Sequence, residues 1–207
     1  VYNRYRVTVW PNAEGKMQVD WTISTSTAMR EIEIYMPLYK SATIEEITLD
    51  EGARIEPPTP YRIPKPVVYY GSSITQGGCA SNPGGSCQAI LERRLNADFV
   101  NLGFSGSGMG DLDVADAMAE IDASCIVLDF WANPSFDVYK EKLPLFVQRL
   151  RAKWPRTPIL VVSPFYFPAE AMGPEVAKAQ DQKRDYSKRS EEHTSELQSP
   201  CNLVCRL

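Results

Sequence analysis

Val67-Val68-Tyr69-Tyr70-Gly71-Ser72-Ser73-Ile74-Thr75-Gln76-Gly77-Gly78 is the stretch whose reading decides the fold. Its first four residues, apolar or aromatic, read as a short buried strand, and Pro64 and Pro66 mark the approach to it. Gly71 and the Gly77-Gly78 pair bracket a polar turn with two serines at its centre. A strand that runs straight into a small-residue turn sets a side chain at the carboxyl edge of a sheet, where open α/β folds bind ligands. A serine there is a candidate nucleophile. The plainer reading is a strand-to-helix turn whose Ser or Thr caps the next helix, and the stretch alone leaves both readings open. A phosphate loop is excluded because no Lys follows Gly77 or Gly78. The Gly-x-Ser-x-Gly elbow fails too, since Thr75 stands where its second Gly belongs.

Downstream of this strand the pattern alternates. Helices are expected near 85–96, 111–121, 138–153 and 173–187, and strands at Phe99-Val100-Asn101-Leu102, Cys125 to Phe130 and Ile159 to Val162. Such alternation is the signature of a parallel sheet with helices on both faces. Gln88 to Leu95 and Leu143 to Trp154 carry apolar residues at helical spacing and are assigned to the core.

Upstream the reading changes. Tyr5-Arg6-Val7-Thr8-Val9-Trp10 and Met17 to Ile23 alternate around a turn at Asn12 to Gly15, and Arg30 to Pro37 and Thr43 to Leu49 supply two more strand candidates. Residues 1–60 therefore read as a small β-rich accessory module, cut at its start, and 61–188 as the main domain. Pro57, Pro58, Pro60, Pro64 and Pro66 form a stiff connection between them.

The chain has 207 residues and a net charge of -4, a balance that argues against nucleic acid or an anionic membrane as partner. No apolar run approaches the roughly 18 residues that span a bilayer. Val1 stands in place of Met, so the lack of a signal peptide leaves the compartment open, export included. The five cysteines form no Cys-x-x-Cys zinc pattern. Cys79 and Cys87 are close enough in sequence to pair in an exported protein and are otherwise free thiols.

Three successive strands of the main domain end in unusual turns: Gly71-Ser72-Ser73, Asn101-Leu102-Gly103-Phe104-Ser105-Gly106-Ser107-Gly108 and Asp129-Phe130-Trp131-Ala132-Asn133-Pro134. A serine, glycine N–H groups open to a ligand and an asparagine amide are the parts of a nucleophile with an oxyanion hole. These blocks resemble those of the SGNH (GDSL-like) hydrolase superfamily, and most closely the subgroup with a β module ahead of Gly-x-Ser-Ile-Thr-Gln-Gly. The resemblance covers roughly residues 40 to 165. It implies a flavodoxin-like three-layer α/β fold with a parallel sheet. It also implies Ser73 as nucleophile, with Ser72 where the family usually has Asp, and Gly106 N–H and the Asn133 amide as oxyanion donors. The surroundings of Asn133 depart from the commoner Gly-x-Asn-Asp. The implied activity is hydrolysis of carboxylic esters, by family habit acetyl esters on carbohydrate, on a small-molecule or carbohydrate substrate. No metal or organic cofactor is implied.

The family's fourth block, Asp-x-x-His, is not found. The only histidine is His193, preceded at three residues by Ser190 rather than an acid. It lies in a run from Arg189 to Leu207 that resembles the in-frame translation of a sequencing adapter, so 189–207 is expected to be a non-native tail. A serine hydroxyl without a base is a poor nucleophile at neutral pH, and the sequence predicts a chain that is catalytically crippled while its parent gene product is competent. Other residues weigh less: Asp129 either orients a neighbour or, the favoured reading, satisfies strand-end N–H groups; Asp111 and Asp113 cap a helix; and Trp131, Phe165, Tyr166 and Phe167 either line an acyl or sugar pocket or, the favoured reading, are core or rim. Two rivals remain. One is a non-catalytic protein holding a glycan or other polar ligand in the same cleft. The other, a nucleotide-binding domain, is disfavoured because Gly106-Ser107-Gly108-Met109-Gly110-Asp111 misses the last Gly of Gly-x-Gly-x-x-Gly.

Overall fold

The computed structural model describes residues 10–20 and 26–194. Four strands, β1 (Ile63–Gly71), β2 (Ala97–Gly103), β3 (Cys125–Asp129) and β4 (Ile159–Val161), form one all-parallel sheet in the order β2-β1-β3-β4. The helices are α1 (Ser73–Gln76), α2 (Cys87–Leu95), α3 (Leu112–Ala119), α4 (Phe136–Lys153) and α5 (Pro174–Thr194). The expected alternation of strand and helix is thus realised, element by element. The strand order is the flavodoxin-like one, in which the chain changes direction across the sheet between β1 and β3 and opens a crevice at their carboxyl ends.

β1 is an inner strand, paired with β2 from Val67↔Phe99 to Gly71↔Gly103 and with β3 from Val67↔Cys125 to Gly71↔Asp129, and β3 pairs in turn with β4. Pro64 and Pro66 precede this doubly paired stretch, where a missing N–H breaks no ladder. Val68, Tyr70, Ile126 and Leu128 point to one face and are fully enclosed against Ala115 and Met118 of α3 and Leu143, Phe146 and Leu150 of α4. Tyr70 stacks on Phe146 with ring centroids 4.8 Å apart. On the opposite face Asn101, in register with Tyr69, donates to Gln88 Oε1 of α2 at 3.3 Å. Helices therefore cover both faces.

Pro144 lies inside α4 and cannot donate to the carbonyl of Lys140, one turn back. Tyr186 of α5 supplies the missing donor, its hydroxyl reaching Lys140 O at 3.0 Å. A defect in one helix is thereby the docking point of the next. Next to it the buried Tyr139 hydroxyl meets Ser187 Oγ at 3.1 Å.

The amino-terminal part differs from expectation. Among the described residues, Arg30 to Pro37 and Thr43 to Leu49 have no ladder partners, and no strand occurs before Ile63. Alternation supplies one apolar face per strand, but pairing needs a neighbour, and Ile32, Ile34, Ile44 and Ile47 stay exposed. The candidates at Tyr5 to Trp10 and Met17 to Ile23 lie largely outside the described residues. One part of this region does dock. Tyr35 receives the Arg93 guanidinium over its ring at 5.3 Å, and Tyr39 and Leu38 reach the first turn of the main domain. The adapter-like run from Arg189 falls partly in the last turns of α5 and then outside the described residues, and the side chain of His193 is not among those described.

Candidate active site

The two serines divide the roles that the sequence left open. Ser72 is the N-cap of α1, fully buried, with Oγ accepting from Ile74 N–H at 3.2 Å. Ser73 follows as the first helical residue, partly exposed, and its hydroxyl meets no partner among the described residues. The capping reading therefore holds for one serine and frees the other.

The second and third turns are locked around the end of β1. Phe104 N–H donates to Gly71 O at 2.9 Å. Gly108 lies so close that a Cβ there would stand 2.4 Å from Gly71 O and 3.3 Å from Asn133 Oδ1. Its N–H is shared between that same Asn133 Oδ1 at 3.1 Å and Phe104 O at 3.0 Å. The first of these bonds settles the orientation of the Asn133 amide: the oxygen turns in to the glycine loop and leaves Nδ2 without a partner among the described residues. Gly106 has φ +72°, a left-handed conformation that Gly adopts without steric cost. Space around it is open, and its N–H donates to no group among the described residues. Ser73, Gly106 and Asn133 thus stand on three turns that the register Gly71↔Gly103 and Gly71↔Asp129 sets side by side.

Supporting residues had little or no sequence signal. Asn101 Nδ2 donates to Thr75 O at 3.1 Å while its Oδ1 accepts from Gly103 N–H at 3.0 Å. The Gln76 amide is used at both ends: Nε2 donates to Leu38 O at 2.8 Å and Oε1 accepts from Ser105 N–H at 2.9 Å. Tyr39 OH donates to Ser73 O at 3.3 Å. The amino-terminal segment, given no part in the site by its sequence, braces the turn that carries Ser73.

Asp129 corrects an expectation. It does not satisfy strand-end N–H groups; its Oδ2 accepts the Thr75 hydroxyl at 2.8 Å and so fixes α1. Burial pushes its carboxyl up to about 6, against the pull of the Thr75 hydroxyl and the Trp131 indole N–H. The indole stands near enough to favour the ionised form but outside hydrogen-bond geometry, since Asp129 Oδ1 and Trp131 Nε1 are both buried and unpaired. An acid whose pKa is raised on folding, from about 4 to about 6, binds its proton more readily folded than unfolded. Its contribution to stability therefore falls as pH rises through that window. Relative to Asp129→Asn, the wild type should gain melting temperature as pH is lowered from 7 to 4; a flat or opposite difference in paired thermal melts contradicts this.

Asp111 occupies the N-cap position of α3, but its side chain makes no capping bond, and Asp113 lies in the first turn. Trp131 is core, 2% exposed, whereas Phe165, Tyr166 and Phe167 are on the surface. Cys79 and Cys87 are free and exposed. No group of three or more His, Cys, Asp or Glu suited to a metal occurs among the described residues.

An all-parallel α/β sheet with a free serine at its central strand end defines the broad class. The particular assignment follows from comparison: a model of the GDSL-like lipase/acylhydrolase family matches residues 64–199, and the chain belongs to that family. Among solved structures it is similar to a protein from Bacteroides ovatus described as a GDSL-like lipase, at 32% identity and a TM-score of 0.63, over 67% of this chain and 41% of that one. It is also similar in fold to the salicylyl-acyltransferase SsfX3 from a tetracycline biosynthetic pathway, at 24% identity and a TM-score of 0.55, over 64% and 39% of the two chains. The chain thus spans about two fifths of the length of these structures. No curated protein matches it.

Proposed function

We propose that the full-length gene product is a serine esterase acting on carboxylic esters, with Ser73 as nucleophile. Ser73 Oγ adds to the ester carbonyl as its proton passes to a base. The tetrahedral oxyanion is held by the N–H groups of Ser73 and Gly106 and by Asn133 Nδ2. Collapse expels the alcohol, and water then cleaves the acyl-serine. Among the described residues no base stands beside Ser73, and we assign the histidine and its aspartate to sequence beyond this chain. As it stands, the 207-residue chain is expected to turn over little or no ester. Short acyl groups on carbohydrate are the substrate class that the family resemblance favours.

The observation that carries this reading is the division of labour between adjacent serines: the one that caps the helix is buried, and the other is partly exposed with no hydrogen-bond partner for its hydroxyl among the described residues. The test is covalent. A fluorophosphonate should label the full-length protein at Ser73, located by mass spectrometry, in parallel with release of acetate from acetylated sugars. If labelling fell elsewhere while hydrolysis persisted, Ser73 would lose its role. Retention of a glycan with neither labelling nor hydrolysis would establish the rival ligand-binding protein.

A further inference from the structure

Lys183 of α5 is a charged side chain in an unusual place: it is 4% exposed, and no carboxylate pairs with it among the described residues. An ammonium taken from water without a counter-ion is costly unless hydrogen bonds replace its hydration, and burial pulls the Lys183 pKa down. What replaces the water is specific. Nζ donates to Trp131 O at 2.9 Å and to Pro134 O at 2.8 Å. Those carbonyls bracket Ala132 and Asn133, so the ammonium ties together both ends of the turn on which the Asn133 side chain stands.

The lysine is itself held firmly. Ser187, one turn on, donates to Lys183 O at 2.9 Å and meets the buried Tyr139 hydroxyl. Its neighbour Arg184 binds Pro164 O, Phe165 O and both oxygens of Glu170 at 2.6–3.0 Å. α5 therefore cannot slide without breaking contacts on both sides of Lys183. The turn it grips has one further anchor toward the site, the bond from Gly108 N–H to Asn133 Oδ1.

We propose that Lys183 is a positioning residue for Asn133: by clamping the Trp131 and Pro134 carbonyls it keeps Asn133 Oδ1 on Gly108 N–H and Nδ2 free for an oxyanion. The geometric part stands on its own, and its bearing on catalysis rests on the esterase reading above. A surface lysine at helical spacing has no such job; this one links the last helix to the third strand turn.

The decisive measurement is amide hydrogen exchange at Gly108 in this chain, followed by NMR. Because Gly108 N–H is shared with Phe104 O, Lys183→Met should speed Gly108 exchange about threefold, as should Asn133→Ala, while Val127 and Leu128 of β3 keep their protection. The two substitutions together should add nothing at Gly108. The proposal is overturned if Lys183→Met leaves Gly108 unchanged, or if Gly108 loses protection only in step with the β3 amides. Should the Met variant fail to fold, Lys183→Gln decides by the same comparison. In the full-length protein, Lys183→Met should lower kcat about tenfold at constant KM and cost nothing further in an Asn133→Ala background. A Ser73→Ala protein that still hydrolyses ester overturns the esterase reading alone, since the exchange result is independent of activity.

Discussion

Ser73→Ala in the full-length protein should lower kcat for ester hydrolysis by roughly 10⁴ to 10⁶-fold, the range seen when a serine nucleophile is removed and only the oxyanion donors and binding remain. The melting temperature should barely move, because the Ser73 hydroxyl holds no hydrogen bond among the described residues. Ser72→Ala supplies the contrast. It removes the cap that accepts from Ile74 N–H, which costs about 1 kcal/mol of stability, yet should leave most of the hydrolysis. Opposite ranking of the two variants, with Ser72→Ala the silent enzyme, would exchange their roles. Initial rates on an acetyl ester, with thermal melts of the same samples, separate these outcomes.

Gly108→Ala should damage fold and site together. The new Cβ would stand 2.4 Å from Gly71 O and 2.8 Å from Gly71 C, both backbone atoms at the end of the central strand. A flexible side chain could swing away; these atoms cannot, so the glycine loop or the Ser72-Ser73 turn must shift. Overpacking of this kind costs about 1–3 kcal/mol. The same shift pulls the loop off Asn133 Oδ1 and carries Gly106 with it, so kcat should fall by about 10² to 10³-fold as oxyanion donors leave their places. Denaturant titration and steady-state kinetics give the two numbers. A variant with wild-type stability and rate would show that the three turns are less tightly interlocked than these distances imply.

Much of the architecture was legible because the signals for it are local. Proline before Val67, glycine after Tyr70 and alternating strand and helix patterns are read within a dozen residues and give a parallel sheet covered on both faces, while the flavodoxin-like order was implied by the family resemblance. The turns bearing Ser73, Gly106 and Asn133 were legible for the same reason. What stayed hidden was long-range and polar. Asp129 and Thr75 are 54 positions apart, and nothing near either betrays the bond. Lys183 reads as an ordinary charged helix residue, because sequence does not say which flank of α5 meets the turn at Trp131. Alternation between Arg30 and Leu49 predicted strands, yet a strand is a property of pairs, and one half of each pair was assumed.

The Gln76 bridge has a consequence for how this chain can change over time. Its amide joins the serine turn, the glycine loop and the amino-terminal segment, but the segment's contribution is the carbonyl of Leu38, not a side chain. A backbone acceptor is indifferent to the residue that carries it. The side chain at position 38 can therefore drift while this link survives, whereas Tyr35 and Tyr39, which meet Arg93 and Ser73 O through their own ring and hydroxyl, are held to their identity. Insertions or deletions between Leu38 and Ile63 are tolerable as well, provided that one carbonyl is returned to the same point. Kinship among such chains is then better traced through Gln76, Tyr35 and Tyr39 than through position 38.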